Sequence, residues 1–190
     1  MIDLTTVDEV KCAIETTDTD HDVNLADRVT DVSHRMQTFL DRDLELQSYV
    51  EVKNGGCVRI YPFNPPIQSI TGIISSVVFD FTQGSTIPIT DYLIVNQGWD
   101  IDHLWLWPGG RNMIQLTYMG GYLDASNVAS TLPKDLRGAA TKQVIFEFTN
   151  RKFVGQTSID VADGQIGIPE KAFLDSVMAV MKKYRIPKLG

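Results

Sequence analysis

The 190-residue chain holds only two cysteines, Cys12 and Cys57, and neither belongs to a CxxC or a Cys/His cluster. A disulfide framework and a cysteine-based zinc site are thereby excluded, and two buried, reduced thiols are the expectation. Long apolar runs are also missing. None approaches the roughly 18 residues of a membrane span, and the opening MIDLTTVDEVK lacks the basic start and apolar centre of a signal peptide. Synthesis in a cytoplasm is therefore expected, with no membrane among the partners. Basic charge is scarce where DNA binding would need it. Residues 1–45 carry 12 acidic and 4 basic groups, 46–130 carry 6 and 3, and 131–190 carry 6 and 10, for a net −7. A body that gripped phosphates would show the opposite balance, so stable DNA binding is not expected. An acidic beginning and a basic end suit a subunit that meets its own neighbour, as in a ring, although ordinary solvated faces give the same counts.

Catalytic motifs are absent too. His21, His34 and His103 fall in different elements and none sits in HExxH, while no serine sits in G-x-S-x-G. His34 reads as a surface or boundary residue of a helix. Gly120-Gly121 lies between a strand pattern and a helix pattern, where phosphate loops occur, but a polar loop separates it from the helix and no Lys-Ser or Lys-Thr follows. These glycines are expected to let the chain leave a sheet sharply. Asp18, Asp20, Asp22 and Asn24 alternate like the start of a calcium loop, yet Val23 and Val29 occupy the positions that need Gly and Glu. A helix-capping acidic loop is the better reading. Trp99, Trp105 and Trp107, with Asp100, Asp102 and His103 among them, could form a sugar platform with paired carboxylates. Simple alternation instead puts Trp105 and Trp107 on one face of a strand and Leu104 and Leu106 on the other, buried on both sides. No cofactor, metal or catalytic residue is assigned.

What is present is a change of period along the chain. Thr6-Val7-Asp8-Glu9 has capping-box form and opens a short helix with Val7, Val10 and Ile14 on one face. From Asp22, apolar residues at Leu25, Val29, Val32, Met36, Phe39 and Leu40 make the stripe of a longer one. After Leu44 the period becomes two. LQSYVEVKNGGCVRIYPF reads as two strands joined by a hairpin turn at Asn54-Gly55. Pro62, Pro65 and Pro66 interrupt, and strands follow in IQSITGIISSVVFDF, DYLIVN, HLWLWP and NMIQLTYM. Helical spacing returns with Pro133 near a first turn and Leu136, Ala139, Ala140, Val144 and Phe148 inward. The stretch VGQTSIDVADGQIG reads as a mobile loop, and Pro169 opens a last helix with Phe173, Leu174, Val177, Met178 and Met181 inward and KKYR at its end. The expected class is α+β, a body of about four helices (1–45 and 131–190) with an antiparallel β domain (46–130) inserted between the second and third.

Several of these pieces, in this order, resemble the head-to-tail adaptor (connector) proteins of tailed bacteriophages. They are the opening LTTVDEVKCAIETTDTDHD before a long helix, YPFNPPIQSITGI, DYLIV, LTYMGGY followed by LPKDLRGAA, and a last helix ending MKKYR. The family's proline-isoleucine falls on Pro66-Ile67, its Y-x-A-G-Y on Tyr118 to Tyr122, and its P-x-x-L helix start on Pro133 to Leu136. Gly120 replaces the usual alanine, and Lys183 stands where a proline commonly precedes the final tyrosine. The resemblance implies a structural virion protein of the neck and no enzyme: a ring, dodecameric in the family, beneath a portal protein, meeting a stopper or tail-completion protein below, with double-stranded DNA passing through.

In that role Pro66, Gly120, Gly121, Tyr122 and Pro133 would be structural turn residues. Lys182, Lys183, Tyr184, Arg185 and Lys188 would dock on the portal, and Trp105, Trp107 and Arg111 would contact the next subunit. Net acidity suits a channel that must not hold DNA, while a basic helix end can equally complement its own dipole. Two other readings stay open on sequence alone: a soluble carbohydrate- or ligand-binding module using the tryptophan-bearing strands, and a hydrolase around Asp100, Asp102 and His103.

Overall fold

The computed structural model describes residues 2–78, 80–123, 125–127, 130–153, 158–161, 164–167 and 172–185, with the backbone alone from 152 to 167. It is α+β, with four helices and antiparallel sheets. Residues 1–41 with 124–190 form one compact unit, and residues 42–123 form another.

The helical unit starts with α1 (Val7–Ala13), whose capping box has Thr6 and Glu9 satisfying each other's backbone N–H groups. Helix α2 (Asp22–Leu40) buries Leu25, Val29, Val32, Met36 and Leu40, the residues of the apolar stripe, and leaves Phe39 half-buried. Helix α3 (Lys134–Thr149) packs on α2 with Leu136, Ala139, Ala140, Val144 and Phe148 inside. Helix α4 (Asp175–Tyr184) packs on both and buries Val177 and Met181. It opens six residues beyond Pro169, which itself lies outside the described residues, so Phe173 and Leu174 precede the helix rather than belong to it.

Polar ties fix the packing. Arg35 forks onto Glu147 at 2.6 and 2.7 Å. The Gln143 side chain accepts from Leu174 N–H at 3.0 Å and donates to Ala172 O, which fixes the turn into α4. Between α3 and α4 the expected mobile loop is corrected in part. Strands β8 (Ser158–Val161) and β9 (Gly164–Gly167), numbered in chain order, pair as an antiparallel hairpin. Strands of four residues are too short to carry a clear period in the sequence.

The β unit holds two sheets. In the first, β1 (Gln47–Lys53), β7 (Ile114–Gly120), β3 (Ile67–Ser75) and β4 (Ser85–Thr86) lie side by side in that order. In the second the order is β2 (Arg59–Ile60), β6 (Asp100–His103) and β5 (Tyr92–Val95). Their shared core includes Ile60, Ile73, Ile101, Trp107, Ile114, Leu116 and Tyr118.

The hairpin expected at Asn54-Gly55 does not form. β1 pairs with β7 and β2 with β6, so the two strands on either side of the turn belong to different sheets. The glycines serve another approach. A side chain at Gly55 would meet Pro108 O at 1.6 Å, Gly55 N–H donates to Gly110 O, and Gly56 N–H donates to Trp107 O, both at 2.9 Å. The Asn-Gly-Gly stretch is thus the seat on which residues 107–110 rest.

Candidate functional site

The tryptophan-bearing segment differs most from its sequence reading. β6 ends at His103, and residues 104–109 are not a strand. Trp107 is 1% exposed, while Trp105 is 77% exposed, so the two do not share a face. Backbone bonds explain the split. Trp107 N–H donates to Cys57 O at 2.8 Å and its carbonyl receives Gly56 N–H, which pulls this residue inward against Tyr92 and His103. Trp105 N–H instead donates to His103 Nδ1 at 3.1 Å, and the chain bows outward with Leu104 and Leu106 also exposed. Arg111 is exposed in the turn before β7. Of the three residues assigned to a subunit contact, Trp105 and Arg111 are available and Trp107 is a core residue.

The imagined sugar platform is not assembled. Trp99 is half-buried with the Arg42 guanidinium stacked 4.9 Å from its ring, and Trp107 is enclosed. The paired carboxylates are both engaged by Arg59, bidentate on Asp102 at 2.6 and 2.7 Å and 3.4 Å from Asp100. The hydrogen bond from Arg59 holds Asp102 below the ordinary carboxylate range and Arg59 above its own.

The turn residues do converge. Gly120 ends β7 between Gln47 and Ile67, and a side chain there would collide with Asn64 O. Gly121 has φ +100°, and a Cβ would lie 2.4 Å from Glu45 O. Its N–H donates to Pro66 O at 3.0 Å, while Tyr122 N–H donates to Leu44 O at 2.7 Å and Tyr122 is buried. The chain thus leaves β7 at the glycine pair. Pro133 immediately precedes Lys134 and caps α3 without a side-chain bond.

At the end of α4, Lys182 and Lys183 are exposed. Tyr184 Oη donates to Asp135 and the Arg185 guanidinium lies 5.2 Å from the Phe39 ring centre, so both fold back on their own unit. Lys188 lies outside the described residues. Lys183 sits inside α4, where a proline would end the helix earlier.

Other expectations also change. Cys12 and Cys57 are free but exposed, Cys12 on the outer side of α1 and Cys57 with its thiol donating to Arg59 O at 3.1 Å. The acidic 18–24 loop does not cap α2 with a side chain. His21 is the N-cap residue and makes no such bond, Asp18 accepts Asp20 N–H, and Asp22 pairs with Lys11 at 2.9 Å. No cluster able to hold a metal ion occurs among the described residues, and no helix among them is long and apolar enough to cross a membrane. His34 is exposed.

A buried polar cluster escaped the sequence reading. Glu51 accepts the Tyr118 hydroxyl at 2.5 Å, both of its oxygens accept Phe63 N–H at 3.0 Å, and Lys53 Nζ lies 2.8 Å away. Burial first, then the bond to Glu51, pushes the Tyr118 phenol up, and burial pushes the Lys53 ammonium down. The signal was the alternation itself, since Tyr49, Glu51 and Lys53 occupy the inward positions of β1.

No protein-family model matches the chain, and no curated protein matches its sequence. Solved structures do match its fold. A chain from the neck of an empty gene transfer agent (GTA) particle, computed with C6 symmetry, superposes with a TM-score of 0.56 at 14% identity, over 97% of this chain and 90% of that one. A chain from the neck of the native particle, computed with C12 symmetry, gives 0.53 at 12% identity over the same shares. A chain from the virion of the native particle gives 0.55 at 13% identity, again over 97% and 90%. Over nearly its whole length, this chain has a fold that chains of gene transfer agent necks share.

Proposed function

We propose that the chain is a structural subunit of a virion neck: a head-to-tail adaptor that assembles with copies of itself, twelve in the closed form, into a ring between a portal protein and a stopper or tail-completion protein. The observation that carries this reading is the fold likeness over 97% of the chain to a neck chain computed with C12 symmetry. It is supported by the order of the Pro66-Ile67, Tyr118–Tyr122 and Pro133–Leu136 motifs along the chain.

Within this reading the outward bow at Leu104, Trp105 and Leu106, with Arg111 close by in sequence, contacts the next subunit, because three adjacent large apolar side chains in water favour burial by a partner. Lys182 and Lys183 dock on the portal, while Tyr184 and Arg185 hold the helix end that presents them. The net −7 charge lets double-stranded DNA pass without being held. No reaction is assigned to the chain.

Electron microscopy of the particle containing this chain, classified by rotational symmetry, tests the reading. A twelvefold ring of the chain coaxial with the portal is the expected result. A position away from that axis overturns it.

A further inference from the structure

Helices α3 and α4 leave between them an open groove of about 280 Å³, lined among others by Lys134, Asp135, Gly138, Lys142, Ser176 and Val180. Asp135 is tied to Tyr184 at one end, and Gln143 is tied to the turn before α4 at the other. The two helices therefore run antiparallel and the groove follows α3 from Lys134 to Lys142, about 12 Å at the helical rise.

Three of its features are unexplained by the fold of a single copy. Gly138 weakens the first half of α3 relative to alanine, yet a Cβ there would meet nothing within 4 Å. Lys134 occupies the first position of α3, where the helix dipole favours an acid. Lys134 and Lys142 are exposed, and neither has an ionic partner among the described residues, whereas the groove's one acid, Asp135, is already engaged by Tyr184 and Lys183. The groove's uncompensated charge is positive.

The same unit carries the opposite surface. Glu15, Asp18 and Asp20 are exposed in the turn between α1 and α2, without a cationic partner among the described residues. The Asp18–Asp20 bond keeps that turn compact. His21, at its end, packs its ring 5.6 Å from Phe148, near the C-terminus of α3. Along α3, Phe148 is about 21 Å from Lys134 and about 9 Å from Lys142. Among the described residues, neither Asp18 nor Asp20 makes an ion pair with Lys134 or Lys142 of its own chain.

We infer that the groove between α3 and α4 receives the acidic Glu15–Asp20 turn of a second copy of this chain, with Lys134 and Lys142 facing Asp18 and Asp20. This rests on the ring reading and adds a contact in the helical unit. The contact uses two different patches, so repetition about an axis can close a ring. Opposite charges set its register and reject like-charged approaches.

Zero-length carbodiimide cross-linking tests it, because the reagent joins only a carboxylate to a touching amine. Full-length chains labelled with light and heavy nitrogen are mixed, cross-linked and digested, so that a bond between copies is recognised by its mixed isotopes. The expected link joins the Asp18/Asp20 peptide to the Lys134/Lys142 peptide. It should be lost in Lys134→Glu with Lys142→Glu and regained when Asp18→Lys and Asp20→Lys are added to the same chain. All four positions are exposed, and circular dichroism verifies that each variant is folded. Mixed-isotope links found only elsewhere, or failure of the charge swap to restore this one, overturn the groove contact and leave the ring standing. No mixed-isotope link at any site overturns the groove contact too, and if the particle also lacks a ring of this chain, the ring reading falls with it.

Discussion

The helical unit and the β unit treat their large apolar side chains differently. Among the described residues, Val23 is the single large apolar side chain left strongly exposed in the helical unit, whereas the β unit exposes Val50, Tyr61, Phe63, Val77, Leu93, Leu104, Trp105 and others. A helix pair can bury one stripe per helix and turn everything else to water. A pair of small sheets has outer faces and edges that remain, and here many of those positions carry apolar groups. What the helical unit presents to a partner is therefore mainly charge, and what the β unit presents is mainly apolar surface.

The sharpest way to break that contrast lies within one segment of the β unit. Trp107→Ala should cost about 3–5 kcal/mol of stability, the range for emptying a core aromatic site, whereas Trp105→Ala should change stability by less than about 0.5 kcal/mol while weakening self-association. Urea unfolding of each variant, followed by circular dichroism, with light scattering for assembly, separates the two. Equal losses of stability would show that residue 105 is also core and that the apolar bow is not a contact surface.

A smaller effect is expected at the sheet exit. Gly121→Ala places a Cβ against Glu45 O at a φ of +100°, and should destabilise the β unit by roughly 1–3 kcal/mol. Pro133→Ala, at a cap that makes no side-chain bond, should cost less in the same assay. The two turn positions have equal standing in the sequence motif, and this pair ranks them.

The smallest expected effect is a change of slope with pH. The Tyr118 phenol is pushed above its ordinary value in the folded chain. Its contribution is then fully present below about pH 10, the unfolded value, and is lost as the pH rises further. Tyr118→Phe should flatten the alkaline fall in stability. It should not abolish it, since burial also raises Tyr49 and Tyr92. An unchanged slope in urea titrations between pH 8 and about 11 would show that the Glu51–Tyr118 cluster does not hold the β unit together.

How far each unit could be read in advance follows from how local its information is. The stripe from Leu25 to Leu40 and that from Leu136 to Phe148 were legible because helical neighbours lie three or four residues apart. The capping box at Thr6 and Glu9 was legible for the same reason. Asn54-Gly55 misled because its turn chemistry is satisfied by residues 107–110, more than fifty positions away. The assigned contact residues divide likewise: Trp105 and Trp107 look alike in a pattern of period two, and only their hydrogen bonds to His103 and to Cys57 and Gly56 tell them apart.

By itself, then, the sequence determined the class, the four helices and their buried faces, the glycine exit after β7, and the acidic and basic ends, because each depends on residues close along the chain or on composition. The tertiary structure alone decided which strands pair, that Glu51 and Tyr118 meet in the interior, that the cysteines face outward, and that an open groove, with two lysines that have no ionic partner among the described residues, lies between α3 and α4. Those features join residues that are distant in sequence, and their partners are chosen by packing, which no local period records.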